Sequence, residues 1–199
     1  MANKILPKDN TLPHSHREVS SIMKYIGMEY KTYDACPNDH IFYYGNNANL
    51  QQCPKCHTNR YCQDQLSKKV PYKVLRHIPL NPRFERMFKC KELAKYMDHH
   101  EQGRSQDGVM CMVADSKYWK VIEVKWPHFR KEPRNARFSL AKDGVNPLGD
   151  LRTTYFVWPV LIINNNLPPW MAMRKEHAML TLIIPGTRTC ECNVFLKII

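Results

Sequence analysis

Cys36 and His40 form one short-spaced pair of metal-ligating residue types, and Cys53 and Cys56 form another after an interval of twelve residues. They lie in a segment, residues 30–61, that is rich in Asn, Cys, Tyr and Pro and has little hydrophobic periodicity. Such a segment cannot bury a large core of its own and needs a metal to hold its shape. Two turn-borne ligand pairs joined by a loop suit tetrahedral zinc. Pro37 and Pro54 directly follow the first Cys of each pair. Thiolates and neutral imidazole match a borderline-soft ion. His57 and Cys62 are near enough in sequence to compete for the fourth position. The alternative is a set of reduced thiols buried as small hydrophobes, against which the polar, Asn-rich flanks argue. Four ligands leave no open coordination position, so the expected role of Zn²⁺ is structural.

The chain has eight cysteines, and outside the Cys53/Cys56 pair their spacing is irregular. No secretory leader is visible at the start, which reads as an intracellular chain whose cysteines serve as thiols or ligands rather than disulfides. Cys190 and Cys192 alternate in a way that also allows a metal half-site. Mean hydropathy is −0.54, and no run approaches the ~18 apolar residues of a membrane span, so no membrane partner is expected. The formal net charge is +12. A surplus of that size suits a polyanion, because each neutralised phosphate releases counterions. Nucleic acid is therefore the expected partner.

The positive charge is concentrated. Between Arg60 and Arg104 there are eleven Lys/Arg against five acids, a net of +6. Lys68, Lys69, Lys73, Arg76, Arg83 and Arg86 are the candidate phosphate contacts. Pro82 is placed to open a helix bearing Phe84, Met87 and Phe88, a second helix is expected around 92–99, and His99-His100 reads as a polar face near it. Upstream, Ser15 with Glu18 resembles a capping box, and Val19, Ile22, Met23 and Ile26 recur at helical spacing over 15–27. A further helix is expected from Trp119. Beyond it the pattern changes to strands at 136–142, 154–163 and 178–184, bounded by turn signals, with another possible at 193–198. The division that follows is 1–29 tail and helix, 30–66 zinc knuckle, 67–133 basic and mainly helical, and 134–199 strands.

Asp143 ends the first of those strands and is followed at once by Gly144. A carboxylate there is well placed to hold Mg²⁺, and clustered carboxylates hold the two metals of many phosphoryl-transfer enzymes. An isolated Asp-Gly after a strand is more often a turn.

Several stretches, in this order, resemble plant CACTA-type (En/Spm-like) transposases. Among them are Asp34-Ala-Cys-Pro-Asn-Asp39, Cys53-Pro-Lys-Cys56, Val74-Leu-Arg-His-Ile-Pro-Leu-Asn-Pro-Arg83, Ala114-Asp115-Ser116, Leu140-Ala-Lys-Asp-Gly-Val-Asn-Pro147 and Asn166-Leu-Pro-Pro-Trp-Met171. The resemblance runs over roughly 6–199. It implies a nuclear cut-and-paste DNA transposase with a ribonuclease-H-like catalytic domain and three metal-binding acids, the first matching Asp143. Partners so implied are DNA at transposon ends and a homo-oligomer or full-length transposase. His40 stands where the family usually has Cys, and Asp150, Glu176 and Glu191 have no matching context for the remaining acids.

The expected fold class is α+β: a small zinc knuckle and a helical basic region, followed by the first three strands of an incomplete ribonuclease-H-like domain. The expected function is that of a transposase portion that binds DNA and carries the first acid, inactive alone. The alternative is a non-catalytic, zinc-containing nucleic-acid-binding protein derived from a transposon, with Tyr43, Tyr44 and Tyr61 as candidate base-stacking residues.

Overall fold

The computed structural model describes residues 13, 15–26, 28–63, 69–105, 107–149 and 155–186. Lys68, Gly27, Asp150, Cys190, Glu191, Cys192 and the strand expected at 193–198 lie outside the described residues.

The chain forms a mixed α+β structure around an antiparallel sheet. Helix α1 (His16–Tyr25) starts as its sequence dictates, with Glu18 N donating to Ser15 Oγ at 3.2 Å. It buries none of its residues, so its apolar stripe is not spent on a core. Strand β1 (Lys31–Ala35) follows, then the cysteine-bearing loops, a two-stranded ribbon of β2 (Tyr61–Gln63) and β3 (Lys69–Pro71), and strand β4 (Lys73–His77). The helices come next: α2 (Asn81–Lys89), α3 (Lys91–Ala94), α4 (His99–Gln102), α5 (Lys117–Lys125) and α6 (Pro127–Arg130). Strands β5 (Phe138–Lys142), β6 (Phe156–Asn164) and β7 (Met179–Gly186) close the described part, with α7 (Pro169–Ala172) between the last two.

The three late strands occur within two residues of their expected bounds and pair as an antiparallel meander. The sequence reading missed two further strands of this sheet, and the β2–β3 ribbon beside it. β4 pairs along β7 and β1 along β4, so the sheet order is β1-β4-β7-β6-β5. The edge of β7 is therefore covered from within the chain. One sheet unites stretches that the sequence division assigns to the knuckle, the basic region and the strand segment, and the basic region begins with strands before it turns helical at Asn81.

Alternation explains which residues turn inward. Leu75, Leu182, Ile184, Val160 and Ala35 form one buried cluster, with Trp158 and Tyr33 against it. A second cluster joins Ile162 and Met179 of the sheet to Met87, Met97, Leu167 and Ala172 of the helices and their loops. Phe84 of α2 meets Phe138 of β5 with ring centroids 4.6 Å apart.

Two polar devices lock the helical layer. Asn166 is fully buried: its amide donates to the carbonyls of Met97 (2.9 Å), Pro133 (3.0 Å) and Asn135 (3.0 Å), and its oxygen accepts from Arg137 N (2.7 Å). The other device centres on Glu123, which accepts from Trp119 Nε1 at 2.9 Å and forms an ion pair with Arg104. Burial works to raise the Glu123 pKa, but Arg104, the indole N–H and Arg130 outweigh it and hold the carboxyl below its usual range.

Candidate metal centre

Cys36 leaves the end of β1, and its backbone N–H donates to Ile41 O at 2.9 Å. This closes a turn in which Asp39 takes a left-handed conformation, φ 61°. The second pair sits on a matching turn: Cys53 N donates to Thr58 O (2.9 Å), His57 N to Cys53 O (2.8 Å), and His57 is left-handed at φ 55°. Each tight turn presents two side chains to one point. The donor atoms of Cys36, His40, Cys53 and Cys56 all lie within 4.8 Å of one another. Sγ of Cys36 is 3.4 Å from Sγ of Cys56, and His40 Nδ1 is 4.0 Å from the sulfurs of both Cys36 and Cys53. Sulfurs on a tetrahedral zinc with ~2.3 Å bonds stand roughly 3.8 Å apart. The four residues thus fit zinc without rearrangement of the backbone, with His40 supplying Nδ1.

His57 and Cys62 are outside this set. His57 is exposed on its turn, and Cys62 Sγ lies 3.2 Å from Val70 O across the β2–β3 ribbon. The thiols are unequal. Thr58, through its hydroxyl and its backbone N–H, lowers the Cys56 pKa to about 5, whereas burial pushes Cys36 up to about 11. A bound cation would draw the proton from Cys36.

The surroundings bind the centre to the sheet. Ile41 and Tyr43 are buried with Cys36 and Cys53. Asp39 is paired with Lys73 of β4. Arg60 donates from Nε to Asp34 Oδ2 at 2.8 Å and from Nη1 to Ala48 O at 2.7 Å, and it lies over the rings of Tyr43 and Tyr61. This leaves Tyr44, half exposed, as the aromatic of the three with neither burial nor an Arg on its face.

The candidate phosphate contacts separate into two groups. Lys69, Arg76 and Arg86 are exposed. Lys73 and Arg83 are buried: Arg83 donates from Nη1 to Leu180 O (2.7 Å) and from Nη2 to Ile78 O (2.9 Å), while Lys73 faces Asp39. The structure spends these two cations on the fold. His100, expected on a polar face, is buried against Trp119 at 5.3 Å between centroids. Its pKa falls to about 4, first because it is buried and then because Arg137 and Arg104 are near.

Asp143 sits one residue past β5, exposed, with Oδ1 accepting from Gly144 N at 2.7 Å. Trp158 packs over Gly144, where an added Cβ would meet the indole at 3.0 Å. Among the described residues Asp143 belongs to no group of three or more potential metal ligands, so no step through Mg²⁺ follows from this geometry. β1, β7 and β5 run in the same direction. Cys36 and Asp143 therefore leave the same end of the sheet, at opposite edges.

The chain is thus a basic α+β protein with a Cys₃His donor set able to hold a metal and an exposed carboxylate at a strand end. Residues 107–199 match the family model described as transposase family tnp2. The match supports a transposase-derived chain, and Asp143 lies inside it while the Cys₃His centre lies outside. No curated protein and no solved structure matches the chain. Among the described residues, no helix is long and apolar enough to cross a membrane.

Proposed function

We propose that the chain is a DNA-binding portion of a cut-and-paste transposase of the CACTA type, acting in the nucleus on transposon ends. The observation that carries this reading is the tnp2 match over 107–199. It is supported by the net charge of +12 and by the Cys₃His geometry. Zn²⁺ held by Cys36, His40, Cys53 and Cys56 fixes the turns that anchor β1. Lys69, Arg76 and Arg86 then make phosphate contacts. Asp143 is the first metal-binding acid of a ribonuclease-H-like site, for which Mg²⁺ is the expected ion, and a homo-oligomer or full-length transposase is the expected partner.

The test is duplex binding by the zinc-loaded chain across a salt series. Affinity should fall linearly in log–log form, and Lys69→Ala, Arg76→Ala and Arg86→Ala combined should weaken binding and flatten the slope by up to about three phosphates' worth. Absence of binding at low salt overturns the reading. Mg²⁺-dependent nicking that disappears in Asp143→Asn would support the catalytic assignment.

A second reading is a non-catalytic, zinc-containing nucleic-acid-binding protein derived from a transposon. The isolation of Asp143 from other potential ligands among the described residues favours it. Under that reading duplex binding persists and Asp143→Asn changes nothing.

A further inference from the structure

Away from the metal centre, a groove of about 550 Å³ runs between the end of α1 with the segment leading into β1 on one side and α2 on the other. Lys24, Lys31, Arg86 and Lys89 line it. Two carboxylates also line it, Glu29 and Glu85, and Glu85 is engaged by Lys89 at 3.8 Å on the same helix face. The groove is therefore net positive. Pro79 and Pro82 give it apolar wall. Its rim carries two tyrosines, Tyr25 at 92% exposure and Tyr30 at 52%. Neither belongs to a buried cluster. Exposed aromatic rings beside cations are the parts from which stacking platforms for unpaired bases are made.

Resting on the DNA-binding reading above, we infer that this groove binds a segment of single-stranded DNA, its phosphates on Lys24, Lys31 and Arg86 and its bases stacked on Tyr25 and Tyr30. A duplex offers phosphates but keeps its base faces covered, so the tyrosines add affinity only for an unpaired strand. The groove's size suits a nucleotide or two rather than a duplex radius, since pockets for small ligands span about 300–1,000 Å³. The α1–α2 groove thereby adds a stacking surface to the phosphate contacts of Lys69 and Arg76, with Arg86 common to both.

The experiment uses the zinc-loaded full chain with a fluorescent oligothymidylate, its RNA counterpart and a duplex of equal length. The wild type should bind the single-stranded DNA more tightly than the duplex. Tyr25→Ala with Tyr30→Ala should weaken single-strand binding by about tenfold or more, from stacking losses of ~1–3 kcal/mol per base, and leave duplex affinity and zinc content unchanged. Tyr25→Phe with Tyr30→Phe should retain single-strand binding, because the ring and not the hydroxyl stacks. Unchanged single-strand affinity in the alanine pair, or tighter binding of RNA than of DNA, overturns the inference while the duplex result still stands. Loss of binding to all three probes in the wild type overturns the DNA-binding reading itself.

Discussion

The side-chain oxygen of Asn166 accepts a 2.7 Å hydrogen bond from the backbone N–H of Arg137, twenty-nine residues earlier. With its amide on three further carbonyls, this one residue ties the β6–α7 turn to the loop after α3 and to the entrance of β5. Asn166→Ala would strand the backbone N–H of Arg137 and the carbonyl of Met97, while the carbonyls of Pro133 and Asn135 keep Arg137 Nη1 at 3.0 and 2.9 Å. Each buried unsatisfied group costs ~1–3 kcal/mol, so two of them should cost at least about 2 kcal/mol in urea denaturation. Asn166→Asp keeps the acceptor but turns a second oxygen toward three carbonyls, and should be at least as damaging.

Arg83 should behave as a stability residue and Arg86, three positions on, as a binding residue. Arg83→Ala removes the guanidinium from the carbonyls of Ile78 and Leu180 and should cost about 2–4 kcal/mol. Arg83→Lys should rescue little, because an ammonium cannot span both acceptors. Arg86→Ala should leave the melting temperature within a degree or two and reduce DNA affinity. The reverse pattern would assign the structural role to Arg86 and the binding role to Arg83.

Metal removal should unravel more than the cysteine loops. Cys36 is continuous with β1, and Asp39 is paired with Lys73 of β4. Chelation, or Cys36→Ser or Cys53→Ser, should abolish stoichiometric zinc, measured by metal analysis, and raise hydrogen exchange along 31–35 and 73–77. His57→Ala and Cys62→Ser should leave one zinc per chain.

Acid should destabilise the helical layer through His100. Its folded pKa of about 4 lies below the ordinary 6.5, so between those values the unfolded chain binds the extra proton and stability falls as pH falls. The contribution of the neutral ring is present above about pH 6.5 and lost progressively toward pH 4. His77 is also lowered, chiefly by burial, and adds to the same slope. In chemical denaturation across that window, His100→Phe should be less pH-sensitive than the wild type. A parallel pair of pH profiles would exclude His100 as the titrating group.

Gly144 is the position at which Asp143 is most easily disturbed indirectly. A Cβ there meets the Trp158 ring at 3.0 Å, and Trp158 is itself packed on the sheet core. Gly144→Ala should shift tryptophan fluorescence and cost about 1–2 kcal/mol, whereas Asp143→Asn, on an exposed residue, should stay within about 0.5 kcal/mol.

The donor cluster was legible because its chemistry is local: spacing and residue type placed Cys36, His40, Cys53 and Cys56 together, and the turns then needed only to close. The meander β5–β6–β7 was legible for a similar reason, since each strand is an alternating apolar run punctuated by turns. β1 and β4 were not. Lys31-Thr-Tyr-Asp-Ala35 and Lys73-Val-Leu-Arg-His77 do alternate, but each is only five residues long and charged; β1 is held by pairing with β4, and β4 by pairing with β7 across a hundred residues. The alternation of Lys73, Leu75 and His77 was the signal available for an inward Lys73. Nothing local marked Arg83 as inward: its acceptors are backbone carbonyls, one of them ninety-seven residues away, and backbone acceptors leave no trace in side-chain identity. His100 was hidden likewise, by Trp119 reaching it from another helix.

The order β1-β4-β7-β6-β5 sets four strand spacings of about 4.8 Å, hence roughly 19 Å, between the strand that feeds the sulfur donors and the strand that feeds Asp143. At that range no ligand can be shared, and a thiophilic ion and an oxygen-loving ion would be insulated from one another while facing the same end of the molecule. Replacing the soft ion with cobalt therefore offers a spectroscopic reporter on one edge that stays silent as magnesium or manganese is titrated against the other.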